Sequence, residues 1–259
     1  MEWTETGVVL STRKHGEADV ILEVMTAKHG RHLGLVRGGR SRRRQPVLQP
    51  GNEVYLSWRA RLADHLGVFA VELAKARAAN LMTSALGLHG VQHLASLVRL
   101  LPERDAHQSV HNALELLLDH LDDPAIAAPL LVRFELEMLA ELGFGLDLAK
   151  CAATGSTDDL AYVSPKSARA VSREAGLPYH DKLLPLPSFL VNGQRQRGSE
   201  ISYKDIQDGF QLTAFFLERN GPTNNASTLD LRSSMIAALE KSYRTTQPWD
   251  FFDDPPLSG

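Results

Sequence analysis

The sequence predicts an α+β protein, a small N-terminal β-barrel followed by an all-helical domain. Three observations predict it. The first 80 residues break into five short apolar or alternating runs separated by turn residues. From about Leu81 the apolar spacing changes from two to three-and-four. The charge also changes sign along the chain. Residues 1–80 carry 13 Lys/Arg and 8 Asp/Glu, a net of +5, while the remainder carry 15 and 23, a net of −8. A basic front and an acidic back suggest two modules with different partners. The expected boundaries are 1–80 for the barrel, 81–246 for the helical domain and 247–259 for an acidic aromatic tail.

The five runs are taken in order. Val8, Val9 and Leu10 close the first. Asp19 to Thr26 is rich in β-branched residues, and Arg31 to Arg37 alternates polar and apolar. Glu53 to Trp58 places Val54, Leu56 and Trp58 on one side and Tyr55 on the other. Leu66 to Leu73 is the fifth. His15-Gly16, His29-Gly30, Gly38-Gly39 and Pro50-Gly51-Asn52 supply the turns. Five short strands suggest an OB-like closed barrel.

The helical part begins with Val91, Leu94, Ala95, Val98 and Leu101 on one face, ended by Pro102. Val110, Leu114, Leu117, Leu118 and Leu121 repeat the pattern before Pro124. Leu131, Phe134, Met138 and Leu142 give a third stripe, stopped by Gly143. Residues 143–200 read as irregular, broken by Pro165, Pro178, Pro185 and Pro187. Ser202-Tyr-Lys-Asp205 has the form of a capping box opening a helix that buries Ile206, Gly209, Phe210 and Leu217. A last helix carries Leu231, Met235, Ala238 and Leu239.

Composition and motifs exclude several classes of function. The single Cys151 allows no internal disulfide and fits a reducing cytosol. The acidic start predicts no signal peptide, and no apolar run approaches the ~18 residues of a membrane span. There is no phosphate loop: Gly34-Leu-Val-Arg-Gly-Gly39 lacks the Lys and Ser/Thr that must follow. There is no nucleophile elbow. His89/His93 and His107/His111 have the spacing of paired helix ligands, but a pair offers only two ligands and no adjacent Glu completes a zinc protease. They read as solvated helix-surface histidines. Cys151 reads as a buried or incidental thiol, since only Lys150 offers a positive neighbour.

What remains is the stretch from Lys28 to Arg44. It holds Lys28, Arg31, Arg37, Arg40, Arg42, Arg43 and Arg44 and no Asp or Glu. Seven mutually repelling charges call for a polyanion, and a phosphate backbone is the candidate; Gly38-Gly39 reads as a flexible pivot within it. Arg13 and Lys14 lie nearby in sequence, and Tyr55 is a candidate for base stacking, whereas Trp58 reads as core. The nucleic-acid site is therefore expected at Arg13, Lys14, Lys28, Arg31, Arg37, Arg40, Arg42, Arg43, Arg44 and Tyr55.

The ordered motifs also resemble a known family. Val8-Val-Leu-Ser-Thr-Arg13, Gly16-Glu-Ala-Asp19 and Arg37-Gly-Gly-Arg-Ser41 are similar to the opening barrel of the bacterial RecO family of DNA repair proteins. Leu131-Val-Arg-Phe-Glu-Leu-Glu-Met-Leu-Ala-Glu-Leu-Gly-Phe-Gly145 is similar to its R-F-E-x-x-x-L-x-x-L-G-[FY] helix, and Tyr162-Val-Ser-Pro165 and Leu184-Pro-Leu-Pro-Ser-Phe-Leu190 follow in family order. The resemblance implies an OB-fold barrel, a helical domain and no catalytic site. It implies a cytoplasmic, nucleoid-associated recombination mediator that binds single- and double-stranded DNA and anneals complementary strands. It also implies binding to the acidic C-terminal tail of single-strand binding protein (SSB) and, with RecR, help in loading RecA. Arg133, on the best-matching helix and off its apolar stripe, is the expected tail ligand, against a simple pair with Glu137. Some members carry a four-cysteine zinc site. Here Cys151-Ala-Ala-Thr154 replaces its opening C-x-x-C, so no metal or other cofactor is expected. Residues 146–200 would then be held by Tyr162, Val163, Leu183 and Phe189. The tail, Trp249-Asp-Phe-Phe-Asp-Asp-Pro-Pro256, could imitate the SSB tail or serve as a solubilising end. An RNA- or ribosome-associated OB protein, or an enzyme built from scattered residues, are the alternatives.

Overall fold

A computed structural model describes residues 1–191, 201–220 and 226–246. It contains the expected α+β architecture. Five strands form a closed barrel in the order β1-β2-β3-β5-β4. They are β1 (Glu2–His15), β2 (Asp19–Thr26), β3 (Gly30–Val36), β4 (Glu53–Arg59) and β5 (Val68–Lys75). β1 is far longer than its apolar run of Val8–Leu10. Its first half pairs with β4 and its second half with β2, the two ladders overlapping at Gly7 and Val8, and the β1–β2 ladder carries an irregularity between Val9 and Ser11. One strand thus serves two partners and bends the sheet closed. The ends of β1 face solvent and are polar, so periodicity alone reveals only its buried middle. β3 meets β5 in parallel through Leu35 and Val68, completing the ring.

Alternation places one set of side chains inside. Val9, Val20, Leu22, Val24, Val36, Leu48, Val54, Leu56, Trp58 and Phe69 form the barrel core. Each large side chain contributes about 1.5–3 kcal/mol by leaving water. Trp58 is core as expected, and its indole N–H donates to the Leu66 carbonyl at 3.0 Å.

By contact density the chain divides into two compact units. The first comprises Met1–Pro124 and Ala226–Ser242; the second holds the described residues of Ala125–Asn225 and Tyr243–Gly259. In the first, the barrel carries α1 (Ala78–Leu81), α2 (Ala85–Val98) and α3 (Gln108–Asp119). Ser84 caps α2 by accepting from the Gly87 amide at 2.9 Å. Glu23 on β2 takes Arg31 at 3.1 Å, Arg99 at 2.9 Å and Ser11 at 2.8 Å. These bonds tie the barrel to the end of α2. Burial raises the Glu23 carboxyl, but the Arg99, Ser11 and Arg31 bonds outweigh it and leave it below the ordinary range.

The reading of the helix histidines as solvated surface groups is corrected here. His93 and His111 are buried. α2 packs against both β1 and α3, so it has two covered faces where an isolated amphipathic helix has one, and Gly90 lets Leu121 approach its backbone.

In the second unit α4 (Pro124–Glu141) buries Leu131, Phe134 and Met138. The 143–200 segment is more regular than expected. β6 (Leu160–Val163), β7 (Ala170–Ser172) and β8 (Leu184–Pro185) make a small antiparallel sheet in the order β7-β6-β8, followed after β7 by α5 (Arg173–Gly176). Val163 and Phe189 are buried, and Tyr162 and Leu183 close over Gly176. Cys151 is buried, its Sγ accepting from Ser172 N at 3.3 Å and Ser172 Oγ at 3.4 Å. Among the described residues no group of three or more His, Cys, Asp or Glu could hold a metal ion. α6 (Tyr203–Asn220) opens on the expected capping box: the Asp205 amide donates to Ser202 Oγ at 3.0 Å and the Ser202 amide to Asp205 Oδ2 at 3.3 Å. The last helix, α7 (Ala226–Thr246), belongs to the first unit as far as Ser242. The aromatic acidic tail lies outside the described residues. No described helix is long and apolar enough to cross a membrane.

Candidate nucleic-acid interface

The β1–β2 hairpin and the β3–β4 connection meet at one end of the barrel. Arg13 pairs across from Ile21, Lys14 from Val20, and Val20 in turn from Val36. The chain leaves β3 there and enters Arg37–Arg44. Arg13, Lys14, Arg37, Arg40, Arg42, Arg43 and Arg44 are all exposed. None of them has a carboxylate partner among the described residues.

The loop that carries them is built rather than slack, which corrects the flexible-pivot reading of Gly38-Gly39. Gly38 has φ +63°, and its amide donates to Asp19 Oδ1 at 2.7 Å. A Cβ on Gly39 would stand 2.4 Å from Val20 Cγ2. The Arg40 amide donates to Ala18 O at 3.0 Å, and its guanidinium donates to the carbonyls of Glu17 and Gly16. Turn bonds run on from Ser41 to Leu48, which is sunk in the barrel core. Asn52 closes the loop. Its Nδ2 donates to Pro46 O at 2.8 Å and Val47 O at 3.2 Å; its Oδ1 accepts from the amides of Arg77 and Ala78, both at 2.9 Å. The arginine heads are thus presented on a fixed backbone, so less ordering entropy opposes their binding an anion.

Between β1 and this loop lies a cleft of about 350 Å³ lined by Thr12, Lys14, Val20, Gly39, Arg40, Gln45, Leu48 and Gln49.

Three expected residues lie elsewhere. Arg31 pairs with Met25 near the other end of the barrel, five residues or about 16 Å of strand from Val36. It is engaged by Glu23 and by the Leu101 carbonyl. Lys28 is exposed in the β2–β3 turn, also at that far end. Tyr55 is exposed on the outer face but sits opposite Thr6 and Glu72. Its partner Thr6 is seven residues, or about 23 Å of strand, from Arg13 along β1, and Glu72 gives it a carboxylate neighbour. The far end is also closed off. Arg104, at φ +66°, donates its guanidinium to Ala63 O and His65 O, fastening the β4–β5 loop, and Asp105 packs against Gly30. OB folds commonly use that loop for binding; here its carbonyls are occupied by a clasp.

In the second unit Arg133 is exposed, off the apolar stripe as expected. It makes no ion pair with Glu137. Its guanidinium donates to the Phe189 carbonyl, and it lines a pocket of about 310 Å³ with Leu136, Glu137, Ala140, Leu146, Leu148 and Leu190.

Gln45, Gln49 and Asn52 are the contributors that sequence reasoning missed. Amides in a loop carry no periodic signal; only the Pro50-Gly-Asn52 turn marked the neighbourhood.

The chain is also similar to known proteins. Residues 1–77 match the family described as Recombination protein O N terminal, and residues 85–227 match Recombination protein O C terminal. The chain is similar to DNA repair protein RecO of Mesorhizobium japonicum, 56% identical over 246 residues, covering 95% of this chain and 96% of that one. It is 54% identical to DNA repair protein RecO of Rhodopseudomonas palustris (93% and 97% covered). It is 52% identical to that of Brucella abortus (95% and 99% covered).

Proposed function

We propose, because the chain belongs to the RecO family of DNA repair and recombination proteins, that it is a recombination mediator acting by binding rather than catalysis. It works inside the cell, at the nucleoid. It holds single- and double-stranded DNA on the basic end of the barrel, anneals complementary strands, and engages SSB, RecR and, through them, RecA. The observation that carries this reading is the row of exposed arginines, without carboxylate partners among the described residues, on a pinned loop. Phosphate contacts by such a row give affinity without sequence preference, which annealing requires. Arg13, Lys14, Arg37, Arg40, Arg42, Arg43 and Arg44 are the primary contacts. Lys28 and Tyr55 are peripheral, and Arg31 serves the barrel's own ion pairs.

The pocket at Arg133 suits the SSB tail. Arg133 spends one N–H on Phe189 O, leaving donors for a carboxylate, and Leu136, Leu146, Leu148 and Leu190 supply an apolar wall for an aromatic side chain.

Replacing Arg40, Arg42, Arg43 and Arg44 together by Ala tests the reading. Affinity for all DNA sequences should fall alike, and the slope of log K against log salt should flatten by roughly 3, from about 0.7–0.9 per lost contact. An unchanged slope refutes the DNA site. For the pocket, Arg133→Ala should weaken binding of an SSB tail peptide, and a wild-type dissociation constant removes the assignment.

A further inference from the structure

The cleft between β1 and the arginine loop is composed unlike a simple phosphate site. Lys14 and Arg40 stand at it, but its lining also includes Val20 and Leu48, both belonging to the barrel core. Gln45 and Gln49 complete the wall. Gln45 Nε2 donates to Arg40 O at 3.1 Å and Gln49 Nε2 to Gln45 O at 3.0 Å. These bonds fix the amide orientations and leave both Oε1 atoms as acceptors without a partner among the described residues. Two acceptor oxygens and an apolar lining repel a phosphate. They suit a flat group with apolar faces and N–H donors at its edge, flanked by an anion. A nucleotide is such a group: phosphate toward Lys14 and Arg40, base against Val20 and Leu48, edge donors toward Gln45 and Gln49.

We propose that this cleft takes one unstacked base of single-stranded DNA. The inference rests on the arginine loop being the DNA site and adds a base pocket to it. A volume of about 350 Å³ has room for a base, and the Oε1 acceptors can be met only by an edge that is not already paired. A duplex would have to extrude a nucleotide first, at a cost of unstacking and unpairing. The arginines then hold any DNA backbone, and the cleft makes the protein favour single strands over duplex.

The test compares a single-stranded oligodeoxycytidylate, whose base carries an NH2 group on its edge, with an abasic strand of the same length and charge, for the wild type and for Thr12→Phe. Thr12 is exposed on β1 and lines the cleft, so the larger side chain fills it and no cation is removed. The wild type should bind the base-bearing strand about ten-fold more tightly. In the variant the ratio should fall toward one, with duplex affinity and salt slope unchanged. Equal binding of both strands by the wild type overturns the base pocket whether or not any variant folds. A ratio that survives in a folded variant also overturns it. The arginine reading is judged separately: if the Arg40/Arg42/Arg43/Arg44 variant loses both strands while the wild type does not discriminate between them, the DNA site stands and the base pocket falls.

Discussion

Replacing Asn52 by Ala should destabilise the first unit more than any other single change to an uncharged loop residue. The side chain is 2% exposed and makes four hydrogen bonds, two given to Pro46 O and Val47 O and two taken from the amides of Arg77 and Ala78. The two carbonyls lie in a stretch that reaches solvent, so water can replace the lost donors and each bond costs only about 0.5–1 kcal/mol. The two amides are buried at the start of α1. Each is left unsatisfied, at about 1–3 kcal/mol. Allowing for partial relaxation, the sum is about 3–4 kcal/mol, a large part of the ~5–15 kcal/mol that holds a typical domain. Thermal unfolding followed by circular dichroism should show the first transition about 10 °C lower. The arginine loop should also lose order, seen as faster amide hydrogen exchange at Arg44, Val47 and Leu48, whose N–H groups bond within the loop. An Asn52→Asp variant keeps the acceptor but turns a carboxylate toward two carbonyls, so it should be destabilised too. A melting temperature within about one degree of wild type for Asn52→Ala, with unchanged exchange in the loop, would refute the argument that Asn52 pins the loop.

Arg31→Ala should lower stability by about 1–3 kcal/mol, because Glu23 keeps Arg99 but loses one partner. The salt slope of DNA binding should not change; a flattened slope would return Arg31 to the DNA site. Acid should weaken the fold through His32, whose imidazole burial drives down to about 4. The folded value lies below the unfolded one, so the neutral ring's contribution is complete above about pH 6.5. It is lost, by up to about 3 kcal/mol, as pH falls from there toward 4. Glu23, also lowered, adds to the loss below about pH 4.5. Denaturant titrations of His32→Phe should show a flatter profile between pH 6.5 and 4, and a wild-type profile would exclude His32 as the cause. Arg104→Ala should free the β4–β5 loop, read as increased proteolysis between residues 60 and 67, and full protection would show that the clasp is redundant.

The sequence alone determined the strands from Asp19 onward, the capping box at Ser202, the apolar stripes of α2 to α4, and the identity of the basic loop. Each is a short-range signal: a period of two or 3.6, a turn residue at a fixed offset, or a block of like charge. Family membership was likewise legible in the ordered motifs, and with it the α+β architecture. Only the tertiary structure decided what lies at which end of the barrel. Register between strands sends Lys28 and Arg31 away from the arginines that precede β4, although all lie within one acid-free block. It decided that His93 and His111 are buried, because burial depends on what a second layer covers and not on helical spacing. It extended β1 over polar residues, since backbone pairing with two partners sets strand length whether or not the side chains are apolar. And it gathered Thr12, Gln45 and Gln49 around one cleft. Hydrogen bonds between residues far apart in the chain are fixed by closure of the barrel, a constraint that leaves no periodic trace in the sequence.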